Sequence, residues 1–259
     1  MKKLLTVVMA AGILTTALAG CGSQSADVAD TNATDKTWVI ATDTVFKPFE
    51  YTDANGDFVG IDVDIVAAIA EDQGFEYQMN SLGWDAAIAA CQAGQADGMI
   101  AGASITDERK ASGWIFSDGY YDATQCMTVK GDSDIAGFAD LSGQTVAVKT
   151  GTQGATYAES LKDEYGFNIT YLEDSPTMYQ TVIGGQAVAC FEDTPIMASS
   201  IKEGDLALKI VDGTENEGNP YGFAIFNADN QELVDMFNAG LANIKANGTY
   251  DEIIAKYLG

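Results

Sequence analysis

The chain has 259 residues, 38 of them Asp or Glu against 13 Lys or Arg, for a formal charge of −25, and it contains no histidine. So acidic a surface makes nucleic acid a poor partner. Without histidine, and with four widely scattered cysteines, there is no zinc-ligand spacing, and no metal or cofactor is expected.

Lys2-Lys3 opens the chain and Leu4 to Leu18 is apolar, a run too short to span a bilayer as a stable helix. It ends in Leu18-Ala19-Gly20-Cys21, which resembles a bacterial lipobox. Residues 1–20 therefore read as a lipoprotein signal peptide with Cys21 as the lipidated residue, which leaves 239 of the 259 residues. Residues 21–37 are rich in Ser, Ala, Asp, Thr and Asn, and read as a flexible tether. The expected location is the cell envelope, on the outer face of the cytoplasmic membrane, with the lipid as the membrane contact. Cys91, Cys126 and Cys190 read as small apolar residues, the first on a helix and the others on strands; a single disulfide among them stays open.

From Trp38 onward, strand and helix patterns alternate. Trp38–Ala41 is β-branched and apolar, and runs into a loop carrying Asp43, Phe46 and Pro48. Asp43 reads equally well as a turn cap or a site residue, and Phe46 as core or site. Asn55-Gly56 marks a hairpin over residues 49–59. Gly60 to Gly74 is a helix with Ile61, Ile65 and Ile69 at helical spacing. A strand over 75–79 and a helix over 85–93 follow. Trp84 stands just before that helix, as a staple into the core or a pocket wall. Residues 95–101 return as a strand.

That strand feeds Gly102, Ser104 and Thr106-Asp107-Glu108-Arg109. Thr106 is placed to cap a helix, with acids in its first turn. Arg109 stands one turn in, as a surface residue pairing with Asp107 or Glu108, or as a guanidinium fork turned back toward the strand end, where a carboxylate would sit. A strand over 123–129 precedes a second round of the same rhythm. Strand 145–148 leads to the glycine-bearing turn 149–154 and a helix over 155–165. A strand at 168–172 follows, then a helix from Ser175, read as its cap, with Pro176 first. Strand 186–191 ends in Glu192-Asp193-Thr194-Pro195, where Asp193 reads as an N-cap or, with Glu192, as a cation partner. Strands over 207–211 and 221–226 and helices over 229–247 and 249–258 complete the chain.

Taken together, several stretches resemble the polar amino acid-binding proteins of ABC importers. They are Ala41-Thr42-Asp43-Thr44 with Pro48-Phe49-Glu50, Gly60-Ile61-Asp62-Val63-Asp64, Ile105 to Arg109, Phe116-Ser117-Asp118, Ala147 to Thr152, Glu192 to Pro195, and Asn247-Gly248-Thr249-Tyr250. The resemblance runs from residue 38 to 259, and within that family the chain looks most like the glutamine-binding members. It implies an α/β type II periplasmic-binding fold, two-lobed, each lobe a mixed sheet flanked by helices, with two hinge strands. Lobe one would be 38–118 plus 222–259, lobe two 124–216, and the crossings 119–123 and 217–221. The implied function is capture of a free polar L-amino acid by hinge closure and its delivery to a permease and its ATPase. The protein would act as a monomer and not as an enzyme.

The same resemblance assigns the ligand residues. Arg109 would grip the α-carboxylate, helped by Ser104 and the backbone at Thr152 and Gln153. Asp193 and the Gly102 carbonyl would take the α-ammonium. Phe46 and Trp84 would flank the side chain, and Asp43 and Lys149 would read it. Two departures stand out: Glu192 replaces a histidine of the glutamine binders, and Gln153 a smaller residue. The extra carboxylate would favour a basic ligand and Lys149 would oppose one, so glutamine is favoured over histidine, arginine or lysine. The alternatives are a dehydratase of the same fold with Glu192 as general acid, or a sensory binding subunit.

Overall fold

The computed structural model describes residues 36–204 and 206–259. The expected signal peptide, Cys21 and residues 21–35 of the expected tether lie outside the described residues. Thr37, read from the sequence as tether, is the first residue of β1 (Thr37–Thr42) and pairs with Glu76.

The first half of the fold continues with the hairpin β2 (Tyr51–Thr52) and β3 (Phe58–Val59), α1 (Ile61–Gln73), β4 (Glu76–Ser81), α2 (Trp84–Gln92), β5 (Gly98–Met99), α3 (Asp107–Ala111) and β6 (Ile115–Phe116). β7 (Tyr121–Ala123) leads to β8 (Gln125–Lys130), β9 (Thr145–Lys149), α4 (Gln153–Tyr165), β10 (Asn168–Leu172), α5 (Ser175–Ile183), β11 (Ala189–Asp193), α6 (Thr194–Gly204) and β12 (Leu208–Ile210). The chain returns through β13 (Asn219–Tyr221) to β14 (Ala224–Ile225), α7 (Gln231–Asn247) and α8 (Thr249–Leu258).

These strands form two five-stranded mixed sheets of one design. In the first, ordered β4-β1-β5-β14-β6, β1 is parallel to β4 and β5 while β14 runs antiparallel to β5 and β6. In the second, ordered β10-β9-β11-β8-β12, β9 is parallel to β10 and β11 while β8 runs antiparallel to β11 and β12. The chain passes between the sheets twice, at β7 and β13, which pair antiparallel with Tyr121 opposite Tyr221. This is a two-lobed α/β architecture, as the sequence implied.

Helices cover both faces of each sheet. Ile61, Ile65 and Ile69 repeat every four residues, so α1 turns one apolar stripe inward onto Leu233, Phe237 and Leu241 of α7. Each such fully buried side chain contributes about 1.5–3 kcal/mol. On the other face, α2 packs Ala87, Ala90 and Cys91 against Met99. In the second sheet α4 sets Ala155 and Ala158 on Val146, Val148 and Phe191, and Met178, Val182 and Met197 of α5 and α6 cover the reverse face.

The structure revises several local expectations. The stretch 95–101 is strand only at Gly98–Met99, and residues 221–226 are not one strand, because the chain leaves the β7–β13 ladder at Tyr221 before joining the first sheet at Ala224. Trp84 is the first residue of α2 rather than preceding it. Asp174, not Ser175, caps α5: its Oδ1 accepts from the Thr177 amide at 2.7 Å, while the Ser175 hydroxyl is engaged by Glu192. Cys91, Cys126 and Cys190 are buried free thiols, without a disulfide among them.

Candidate functional site

The carboxyl ends of parallel strands in the two sheets approach one another, an arrangement in which α/β sheets place ligands. Asp43 follows β1 and Gly102 lies just beyond β5; Lys149 ends β9 and Asp193 ends β11. The cavity between them is narrow, with a volume of about 10 Å³, room for about one water. Its lining brings together all eleven residues singled out from the sequence: Asp43, Phe46, Trp84, Gly102, Ser104, Arg109, Lys149, Thr152, Gln153, Glu192 and Asp193, with Ala101 added.

Arg109 is placed by its own short helix. Thr106 caps α3, its hydroxyl accepting from the Arg109 amide at 3.2 Å. The side chain then folds back. Nη1 donates to the Ser104 carbonyl at 2.9 Å, and Nη2 reaches the other lobe to donate to the Gly151 carbonyl at 3.2 Å. The guanidinium lies against the rings of Trp84 and Trp114, 5.1 and 5.0 Å from their centroids, which are themselves 6.3 Å apart, a placement suited to cation–π attraction. Arg109 is thus buried rather than a surface partner of Asp107 or Glu108. Burial pulls its pKa down to about 10, against the pull of Asp193 and Glu108 in the other direction.

Asp193 is held from two sides. Its Oδ1 accepts from Gln125 Nε2 at 2.6 Å and its Oδ2 from the Tyr221 hydroxyl at 2.5 Å. Gln125 is its cross-strand partner in β8, and Tyr221 comes from the β13 crossing. Burial raises the Asp193 pKa, opposed by these two hydrogen bonds and by Arg109 and Lys149. An ionised carboxylate offers about four acceptor sites, so two donors leave room for an ammonium.

Glu192 shares the lining, but its oxygens serve its own lobe. Oε2 accepts from Ser175 at 2.7 Å and Tyr179 at 3.1 Å, and Oε1 from the Asp193 amide at 3.0 Å. Burial and the neighbouring Asp193 charge push its pKa up to about 7.

Lys149 and Asp43 form an ion pair that joins the two lobes inside the cavity, both side chains nearly fully buried. The ammonium also stands 5.4 Å from the Phe46 ring centroid and 6.0 Å from that of Trp84. Next to this pair, Thr152 caps α4, accepting from the Ala155 amide at 3.3 Å, and Gln153 opens the helix. First-turn amides of a helix have no intrahelical acceptor and favour anions. Gly102 is left-handed at φ 55°, and a Cβ there would stand 2.4 Å from Phe46 Cε1. The Trp84 indole N–H is buried without an acceptor among the described residues.

Sequence reasoning missed the groups that support these side chains. Gln125 and Tyr221 lie far along the chain from Asp193, which they hold, whereas Trp114 is near Arg109 in the chain but belongs to no motif. β8 is buried from Gln125 through Val129, so Gln125 stands out only once its pairing with β11 is known. Among the described residues, no helix is long and apolar enough to cross a membrane, and no three His, Cys, Asp or Glu side chains gather as a metal site.

Residues 38–259 match the family described as bacterial extracellular solute-binding proteins, family 3. The chain is similar to a probable histidine-binding protein of Neisseria gonorrhoeae, 30% identical over 260 residues, covering 99% of this chain and 96% of that protein. A solved second substrate-binding domain of a putative amino acid ABC transporter from Streptococcus pneumoniae is 43% identical, covers 86% of this chain and 100% of its own, and has a TM-score of 0.60. An ancestral arginine-binding protein, solved bound to arginine and also bound to glutamine, is 33% identical, covers 86% of this chain and 98% of its own, and has a TM-score of 0.78. Two lobes closing on a cavity lined by paired opposite charges, and a family match from the first strand to the last residue, lead to one conclusion: the chain belongs to the family 3 extracellular solute-binding proteins.

Proposed function

We propose that the cavity takes one free polar amino acid, glutamine before any other, and that the protein delivers it to an ABC permease. Arg109, Ser104 and the first-turn amides of α4 receive the α-carboxylate. Asp193 and the Gly102 carbonyl receive the α-ammonium. Each site charge thereby meets its opposite, which offsets its desolvation.

The observation that carries the choice of ligand is the Lys149–Asp43 pair beside Phe46 and Trp84. A cationic side chain between those rings would face a buried ammonium that already holds the nearest carboxylate. A side-chain amide suits both members, donating to Asp43 and accepting from Lys149. Glu192 does not reverse this, because its oxygens are turned to Ser175, Tyr179 and its own backbone. In this reading the lobes, 38–118 with 222–259 and 124–216, hinge on the β7–β13 ladder, and entry of a ligand requires the Lys149–Asp43 and Arg109–Gly151 links to part. The chain binds rather than converts its ligand, and it is held at the outer face of the cytoplasmic membrane through Cys21.

Calorimetry against the twenty amino acids, with ornithine and cystine added, tests the reading. Glutamine should bind at micromolar affinity or better and arginine at least about tenfold more weakly, a difference of about 1.4 kcal/mol. Tighter binding of arginine or histidine would overturn the assignment of the side-chain pocket. Failure of every amino acid to bind would overturn the function. For the anchor, Cys21→Ser should release the protein from the membrane fraction.

A further inference from the structure

Behind the cavity wall lies a second group of buried polar side chains that the binding reading does not use. Glu50, Asp62 and Tyr120 are essentially inaccessible to solvent. Asp62, on α1, accepts from the Gly102 amide through Oδ2 at 3.0 Å, and so touches the lining directly. Its other oxygen, both oxygens of Glu50 and the Tyr120 hydroxyl are buried with no hydrogen-bond partner among the described residues. Asp62 is nonetheless a close neighbour of both Glu50 and Tyr120. Two ionised carboxylates are acceptors only and repel one another; as a pair they cannot satisfy this geometry.

We propose that Glu50 is present as a neutral carboxylic acid that donates a hydrogen bond to Asp62, and that this pair positions Gly102 in the wall of the ligand cavity. One proton removes both defects. Glu50 becomes a donor, and Asp62 receives it on the oxygen left free by Gly102, with the Tyr120 hydroxyl alongside. The groups facing Glu50 favour this state. Asp62 on α1 and Asp43 after β1 are negative and disfavour a third charge, and Lys149 on β9 opposes them but is already held by Asp43. Burial and the two acids hold the Glu50 pKa well above the ordinary carboxyl range, and burial lifts Asp62 to about 6. Glu50 is also fixed in the backbone, since its carbonyl accepts from the Phe46 amide at 2.7 Å. The pair therefore braces two parts of the lining, Phe46 through the chain and Gly102 through Asp62.

The positioning role rests on the amino acid reading of the cavity; the protonation does not. Infrared spectroscopy of the wild-type protein at neutral pH tests the protonation. A protonated-carboxyl C=O band that shifts in D2O, survives in Glu192→Gln and is lost in Glu50→Gln is the expected result. A wild-type spectrum in which Glu50→Gln removes no such band overturns the proposal. Thermal melting gives a second arm: Glu50→Gln, which keeps a donor, should flatten the decline of melting temperature as pH rises above the ordinary carboxyl value of 4.5, and an unchanged slope counts against it. Positioning is read with L-glutamine. Glu50→Gln should bind within about threefold of wild type and Glu50→Ala at least about tenfold more weakly, the cost of an unpaired buried group. Equal affinity in wild type, Glu50→Gln and Glu50→Ala overturns the positioning role. If wild type binds no L-glutamine, the binding reading and the positioning role fall together, and the infrared and melting arms still decide the protonation.

Discussion

Arg109 and Gly151 belong to different lobes, and the guanidinium Nη2 donates to the Gly151 carbonyl at 3.2 Å. The residue proposed to hold the ligand is thus also a bond across the cleft. A carboxylate arriving beside it adds the charged partner that a backbone carbonyl cannot supply.

Replacing Arg109 with Ala should therefore abolish binding without unfolding the chain. The expected loss is about 2–5 kcal/mol of binding free energy, typical for one partner of a buried charge pair. Calorimetry measures the affinity and circular dichroism the fold. Arg109→Lys should recover only part of the affinity, since an ammonium lacks the planar fork.

Lys149→Met removes the buried ammonium and leaves Asp43 without its partner. An unpaired buried charge costs about 3–5 kcal/mol, so the melting temperature should fall. Arginine should then bind more tightly than it does to wild type and restore part of that stability, because its guanidinium can replace the lost cation. Melting curves with and without arginine, beside a glutamine titration, check both halves.

Gly102→Ala places a methyl group where Phe46 Cε1 stands, at 2.4 Å, and asks a non-glycine residue to hold φ near 55°. Overpacking of this kind costs about 1–3 kcal/mol. The variant should fold with a lower melting temperature and bind glutamine more weakly, as the Phe46 ring moves into the cavity.

Glu192 has a pKa near 7 in the folded protein, against the ordinary carboxyl value of 4.5. The folded state then holds its proton more tightly than the unfolded chain. Its contribution to stability is complete below about pH 4.5 and declines as pH rises toward about 7. Glu192→Gln should flatten that part of the curve of melting temperature against pH.

The sequence displayed what is local and hid what is not. Thr106 followed by two acids marked a helix start, and the structure has Thr106 as the cap of α3. Glycines after apolar runs marked helix ends, and Gly74 and Gly166 are left-handed caps. The rhythm of strands and helices gave the α/β class, and with the family resemblance the two lobes. Cap choice at α5 failed because Ser175 had a distant acceptor in Glu192, which no window of the chain displays. The same reason hid Tyr221 and Gln125 from the reading of Asp193. Glu50 and Asp62 were visible as parts of a motif, but their contact is made only when α1 packs beneath the Gly102 turn.

The placement of Arg109 against two indoles has a practical consequence. Of the three tryptophans in the chain, Trp84 and Trp114 both lie against the guanidinium, whereas Trp38 lies under Lys36. The chain thus carries its own fluorophores at the point where a ligand's charge would arrive. Ultraviolet emission becomes a label-free gauge of occupancy, and stopped-flow mixing could time the capture of each candidate solute on unmodified protein.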